Sequence, residues 1–310
     1  MSRLKIVIVA VILVVVAAVL VLWPRSDYSS GRIISTSFAG YDFARAVTGS
    51  SDDVRMLLKP GADMHDYEPT PQDIIDIQKS QLFIYIGGES EEWVERLLKD
   101  NEISSDKTLR LMDFVELKNE EIKEGMQVEE EGEDEEDDEH IWTSSKNAIR
   151  LVNAIRDKLT SINYGDAGKL DEHAKAYTNR LSEIDQKLSD IIAKAARKEL
   201  IFGDRFPFRY FVDEYKLNYY AAFPGCAEQT EASSQTLAFL IKKVRETGAK
   251  AIFKIELSSG KLAETIAEAT GAKVYTLNAA HNISESDFNS GKTYADIMTE
   301  NAKVLEEALN

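Results

Sequence analysis

The chain has 310 residues and only four histidines, against 54 acidic side chains. His65 lies in "LLKPGADMHDYEPTPQDI", between a strand-like run and a helix start. His140 follows an acidic run and precedes the helical pattern "SSKNAIRLVNAIRDKL". His281 follows the strand-like "AKVYTLN". Each of the three stands at the end of a strand or the entry of a helix, where open α/β sheets bind ligands. Imidazole nitrogen suits Zn²⁺ and its neighbours, and three such ligands plus a carboxylate or water complete a tetrahedron. Their spacing matches no short metal signature such as HExxH. Taken one at a time, each also reads as a surface residue. The fourth, His173, falls among Asp171, Glu172 and Lys175 in a long helical pattern and reads as a solvent-facing helix position.

The elements that would hold these loops alternate between strand and helix. "RIISTSF", "DVRMLLK" and "QLFIYIGG" are strand candidates. "YDFARAVTG" has helical spacing with a glycine stop. Thr70, Pro71 and Asp73 make a helix start of cap, first-turn proline and capping-box acid. "EEWVERLLKD" is amphipathic. After residue 198, "KELIFGD", "LNYYAAF", "AKAIFKIE" and "AKVYTLN" alternate with "FRYFVDEYK", "SSQTLAFLIKKVRETG" and "GKLAETIAEATG", and "TYADIMTENAKVLEEALN" closes the chain. This rhythm predicts mostly parallel sheets covered by helices. Between the halves, residues 166–198 form one uninterrupted helical pattern of roughly 50 Å at about 1.5 Å per residue. The expected architecture is therefore α/β: an N-terminal lobe (32–165), a linking helix (166–198) and a C-terminal lobe (199–310). A site built from the three histidines would lie in the cleft between lobes.

Composition narrows the function classes. The net charge is −17, and ten of those charges stand between Glu129 and Glu139. Such a field repels phosphates, so nucleic acid is not an expected partner. A single cysteine, Cys226, excludes a disulfide framework and a cysteine-rich zinc site. The acidic segment (124–139) is expected as a solvated, mobile loop at the cleft mouth that concentrates divalent cations and is dispensable for the fold. Residues 1–31 read as a targeting segment. Arg3 and Lys5 precede eighteen apolar residues, Ile6 to Trp23, long enough at about 27 Å to cross a hydrocarbon core. The bulky "VLVLWPRS" exit favours an uncleaved N-terminal membrane anchor over a cleaved signal, with the rest exported.

The stretches around the three histidines, G-A-D-x-H-x-Y-E-P-T-P and H-x-W-x-x-x-x-N-A above all, resemble the zinc/manganese-type solute-binding proteins of metal ABC transporters. The resemblance runs from Arg32 to Asn310. It implies two α/β lobes joined by a rigid helix, one Zn²⁺ (or Mn²⁺) in the cleft, and delivery to an ABC-transporter permease by a monomer. It carries ligand roles onto His65, His140 and His281, with Asp66 or nearby backbone fixing the His65 tautomer. It also shows three departures. The family's ligand after the first strand of the second lobe is here Arg205, which cannot ligate. Asp204 is then the expected fourth ligand, with Glu231, Glu228, Cys226 or water as alternatives. The loop before His140 is acidic, where zinc members are often His-rich. No lipid-anchoring cysteine stands near Trp23. A metal-dependent hydrolase and a surface adhesin are the alternative functions; no Ser/His/Asp set or phosphate-cradling glycine loop supports the enzyme.

Overall fold

A computed structural model of the protein describes residues 33–65, 67–100, 103–127, 136–227 and 231–310. The expected anchor and tether (1–31) lie outside these residues. Among the described residues no helix is long and apolar enough to cross a membrane.

Each lobe is built on a four-stranded, all-parallel sheet. The first contains β1 (Ile33–Ser35), β2 (Val54–Met56), β3 (Leu82–Tyr85) and β4 (Thr108–Arg110), in the order β2-β1-β3-β4. β1 pairs through Ile33 with Val54 on one side and Leu82 on the other. The second contains β5 (Glu199–Arg205), β6 (Asn218–Phe223), β7 (Ala251–Lys254) and β8 (Lys273–Thr276), in the equivalent order β6-β5-β7-β8. Parallel strands need helical crossovers, and these cover both faces. They are α1 (Phe38–Thr48), α2 (Pro71–Lys79) and α3 (Glu92–Asp100) in the first lobe, and α6 (Arg209–Tyr215), α7 (Ser234–Thr247) and α8 (Lys261–Thr270) in the second. α4 (Ser145–Ser161) leads into the linking helix, and α9 (Glu285–Asn289) and α10 (Tyr294–Ala308) end the chain. The order of each sheet reverses between its first and third strands, so the binding crevice of each lobe opens beyond the carboxyl ends of β1/β3 and β5/β7.

Local chemistry sets the helix ends. Thr70 accepts the Asp73 N–H while the Asp73 carboxylate accepts the Thr70 N–H, with Pro71 in the first turn. Thr293 and Asp296 repeat that capping box at α10. Gly49 stops α1 in the left-handed conformation, which glycine adopts without a Cβ penalty.

The linking helix α5 spans Ala167–Lys194, 28 residues, or about 42 Å. It is shorter than the 166–198 pattern because the backbone turns extended at Ala195 to enter β5. Its buried stripe (Leu170, Ala174, Leu181, Ile184, Leu188, Ile191) joins a single apolar core that includes residues of both lobes. On the inner face of α1, the buried Asp42 accepts the Tyr177 hydroxyl of α5 and the Tyr294 N–H of α10, and pairs with Arg45. His173 is not a free surface residue: it is half-buried, and its Nδ1 lies 3.2 Å from the Val47 carbonyl at the end of α1.

Candidate metal centre

The three histidines come from three segments and meet between the lobes. Ring centroids are 6.0 Å apart for His65 and His140, 5.9 Å for His65 and His281, and 4.4 Å for His140 and His281. One nitrogen from each lies within 4.8 Å of the other two. Among the described residues, the Nε2 atoms of all three are buried and have no hydrogen-bond partner. Three uncompensated imidazole nitrogens in one cluster are costly to bury, and their cost is removed by a cation that accepts their lone pairs.

Each ring is held from behind. His140 is fully buried, and its Nδ1 faces Asp138 Oδ1 at 3.0 Å. Since a carboxylate only accepts, Nδ1 carries the proton and Nε2 the lone pair. The same Asp138 oxygen accepts the His140 N–H at 2.8 Å. Gly225 closes over this ring: a Cβ there would stand 3.0 Å from the imidazole and from the Phe206 carbonyl. The His65 N–H donates to Asp63 Oδ1. His281 follows Ala280, a non-glycine residue at φ 56°, a conformation that persists only where its surroundings enforce it. Here Glu256 enforces it, accepting the Ala279 and His281 N–H groups at 2.6 and 2.9 Å, while Asn278 accepts the Ala280 N–H.

The lobes are pinned around the site. Trp142 Nε1 donates to the Ala279 carbonyl at 2.7 Å, and the indole packs edge-on against both His140 and His281. Asn282 Nδ2 donates to the carbonyls of Lys59 and Ala62, which fixes the His281 loop to the His65 loop. Arg205 reaches across to Asp63 at 2.7 Å.

Electrostatics divide the histidines. Burial, followed by the neighbouring His140, pushes His65 down to about 4. Burial, His140, His65 and Arg205 hold His281 well below its ordinary value. Burial also opposes charge on His140, but Asp138, with Glu139 and Glu120, outweighs it and raises the pKa.

Asp204 does not join the group. Its carboxylate is turned into the sheet, accepting the N–H groups of Arg205 (2.9 Å) and Ile255 (3.3 Å), and so ties β5 to the end of β7. Glu231 is exposed before α7, and Cys226 donates its N–H to Glu120; neither is among the clustered ligand atoms. Glu228 and Asp66 lie outside the described residues. The acidic segment also differs from a solvated loop at its end: Asp138 and Glu139 are 1% exposed. Glu139 accepts from Ser90, and the Asp138 N–H pairs with Lys118 O. Carboxylates with such fixed donors are stable in the interior. Sequence reasoning missed Asp138 and Glu256, because a single acid among 54 carries no separate signal. Asp63, two before His65, Asn282, next to His281, and Trp142, two after His140, were legible only as motif letters.

Two parallel α/β lobes across a rigid helix, with a buried site at the facing strand ends, define a solute-binding protein. The chain belongs to the ZnuA family, the zinc-uptake complex component A periplasmic proteins, which it matches over residues 33–308. It is 30% identical over 279 residues to the zinc-binding lipoprotein AdcA of Streptococcus pneumoniae (strain ATCC BAA-255 / R6), covering 89% of this chain and 55% of that protein. It thus spans little more than half the length of that relative. It is 29% identical over 284 residues to the high-affinity zinc uptake system protein ZnuA of Bacillus subtilis (strain 168), covering 90% and 87%. Among solved structures, the metal-dependent lipoprotein YcdH of Bacillus subtilis superposes with a TM-score of 0.75 at 27% identity, covering 90% of this chain and 99% of that one. The Zn(II)-bound ZnuA-like domain of Streptococcus pneumoniae AdcA gives 0.74 at 27%, covering 89% and 98%.

Proposed function

We propose that the protein captures a divalent transition metal outside the cytoplasm, zinc in preference to manganese, and delivers it to an ABC-transporter permease. His65, His140 and His281 ligate the ion through Nε2, and residues 1–31 tether the lobes to the membrane. The observation that carries this reading is that one ring nitrogen of each histidine lies within 4.8 Å of the other two, while each Nε2 is buried without a hydrogen-bond partner among the described residues. Zinc holds imidazole nitrogens at about 2.0–2.1 Å, so small side-chain rotations bring this set onto one ion. An all-nitrogen donor set favours zinc; manganese prefers carboxylate-rich sites. Relatives described as zinc-binding support the same preference.

The geometry favours a binder over a hydrolase. A metal-dependent hydrolase needs a base within reach of a metal-bound water. The Glu256 carboxylate beside His281 instead spends both oxygens on the backbone N–H groups of Ala279 and His281. The test is metal analysis of the purified full-length chain followed by Zn²⁺/Mn²⁺ competition. One zinc per chain, retained over manganese and lost in His65→Ala and His140→Ala, is the expected result. A chain that binds neither metal, or whose double variant binds normally, would overturn the reading.

A further inference from the structure

The chain that leaves β4 of the first lobe docks on the second lobe before it returns to His140. Residues 115–127 form no helix or strand, yet they are fastened along their length. The Lys118 N–H donates to the Tyr210 hydroxyl of α6 at 3.1 Å. Glu120 accepts the N–H of Cys226, the residue after the glycine that closes over the His140 ring, at 2.9 Å. The Lys123 ammonium lies 4.1 Å from the centre of the Tyr219 ring. The Gln127 N–H donates to the Ala222 carbonyl at 2.9 Å, on the edge strand β6, and its side chain accepts the Ser233 N–H at 2.6 Å.

This outgoing leg also carries the returning one. The Glu120 N–H donates to the Glu136 carbonyl and the Asp138 N–H to the Lys118 carbonyl, each at 2.8 Å, with Asn119 opposite Asp137 in an antiparallel bridge. The Tyr210 hydroxyl donates to the Asp138 carbonyl at 2.9 Å. One tyrosine of the second lobe thus fastens both legs, and the returning leg ends in Asp138 and His140. The hold is polar: no residue from 115 to 127 is fully buried, and Ile122 is 61% exposed. Segments with few buried apolar contacts open locally at a lower free energy than the whole fold. Rotating the lobes about α5 would instead divide the single apolar core that they share. We infer that residues 115–127 are a detachable strap that gates metal exchange. Docked, the strap keeps His140 in the cluster; detached, it frees Asp138 and His140 together while both lobes stay folded. The inference rests on the three-histidine metal site proposed above and names the segment that regulates it.

The test is the rate at which the zinc-loaded full-length chain loses its ion to a saturating chromophoric chelator. Lys123→Ala with Gln127→Ala removes two attachments to the second lobe and leaves His140 and Asp138 untouched. The double variant should release zinc roughly tenfold faster or more, the effect of losing two such contacts, with the melting temperature of the metal-free chain nearly unchanged. Tyr210→Phe, which deletes the hydroxyl shared by both legs, should act in the same direction. Arg180→Gln breaks a polar bond between α5 and α10 and should leave the rate as it is. Hydrogen exchange supplies a second readout: bound zinc should slow the Gln127 and Asp138 amides together, although Gln127 bonds only the second lobe. An unchanged rate in the strap variants, an equal acceleration in Arg180→Gln, or a Gln127 amide indifferent to zinc overturns the inference and leaves the metal site standing. A chain that takes up no zinc overturns both.

Discussion

Asp138 Oδ1 lies 3.0 Å from His140 Nδ1, and both side chains are shut off from solvent. One carboxylate therefore fixes the tautomer, the ring plane and the backbone of the most deeply buried histidine. Asp138→Asn should keep the fold but allow the opposite tautomer, which takes the lone pair away from the centre. Loss of such an orienting partner weakens metal affinity by about 10–100-fold. Competition titration with a zinc chelator would measure it. An affinity within twofold of wild type would mean that Trp142 and Gly225 alone hold the ring.

Proton competition should involve chiefly one histidine. A histidine must be neutral to ligate. His65, pushed down to about 4, is neutral at pH 5 and above, and burial with the neighbouring rings and Arg205 holds His281 well below its ordinary value. His140 is raised above its ordinary value of about 6.5 and takes up a proton first as pH falls. Metal affinity should then drop about tenfold per pH unit below the His140 pKa, with one proton displaced per ion, until His65 joins near pH 4. In Asp138→Asn the drop should begin at lower pH, because the carboxylate that raises His140 is gone. Chelator competition from pH 8 to 5 reads the slope; a slope near three would show that all three rings titrate together.

Asp204 and the histidines should separate cleanly by substitution. His65→Ala, His140→Ala or His281→Ala each removes a nitrogen that only water could replace, so zinc affinity should fall at least a hundredfold with the melting temperature of the metal-free chain nearly unchanged. Asp204→Asn should do the reverse. It turns an amide N–H against one of two backbone donors, at a cost of about 1–3 kcal/mol, while the metal nitrogens stay in place. Calorimetry and thermal melts on the same samples distinguish the two patterns. Weakened zinc binding by Asp204→Asn without loss of stability would restore it as a ligand.

The limits of sequence reading fall at specific residues. The strands "QLFIYIGG" and "KELIFGD" and the Thr70 helix start were legible because a buried parallel strand is a continuous apolar run and a capping box is a fixed spacing. β4 was not legible: its three residues, Thr108–Arg110, carry no period. The histidines stood out through rarity. Asp204 reads as a ligand from sequence because it is an acid at a strand end, whereas in the fold its oxygens accept two backbone N–H groups. The same blindness hid Asp138 within the acidic run. Sequence counts charges; only the fold shows which carboxylates have been given donors.

Glu91 offers a test of that distinction away from the three histidines. It is 5% exposed, accepts the Gly87 N–H at 2.8 Å, and burial raises its pKa to about 7. In the unfolded chain it titrates near 4.3. A group whose folded pKa is raised adds stability below the unfolded value and loses it as pH rises through the folded value. Between pH 4 and pH 8 the wild type should therefore lose roughly 3 kcal/mol through Glu91, at about 1.36 kcal/mol per pKa unit. Glu91→Gln keeps the shape and an acceptor for Gly87 but has no proton to lose. Its stability relative to wild type should rise by that amount over the same window, reaching a net gain at pH 8. Denaturant midpoints of both metal-free proteins at pH 4, 6 and 8 measure the difference. A difference that stays constant with pH would mean that the Glu91 carboxylate is as well solvated by its donors inside the protein as it is in water.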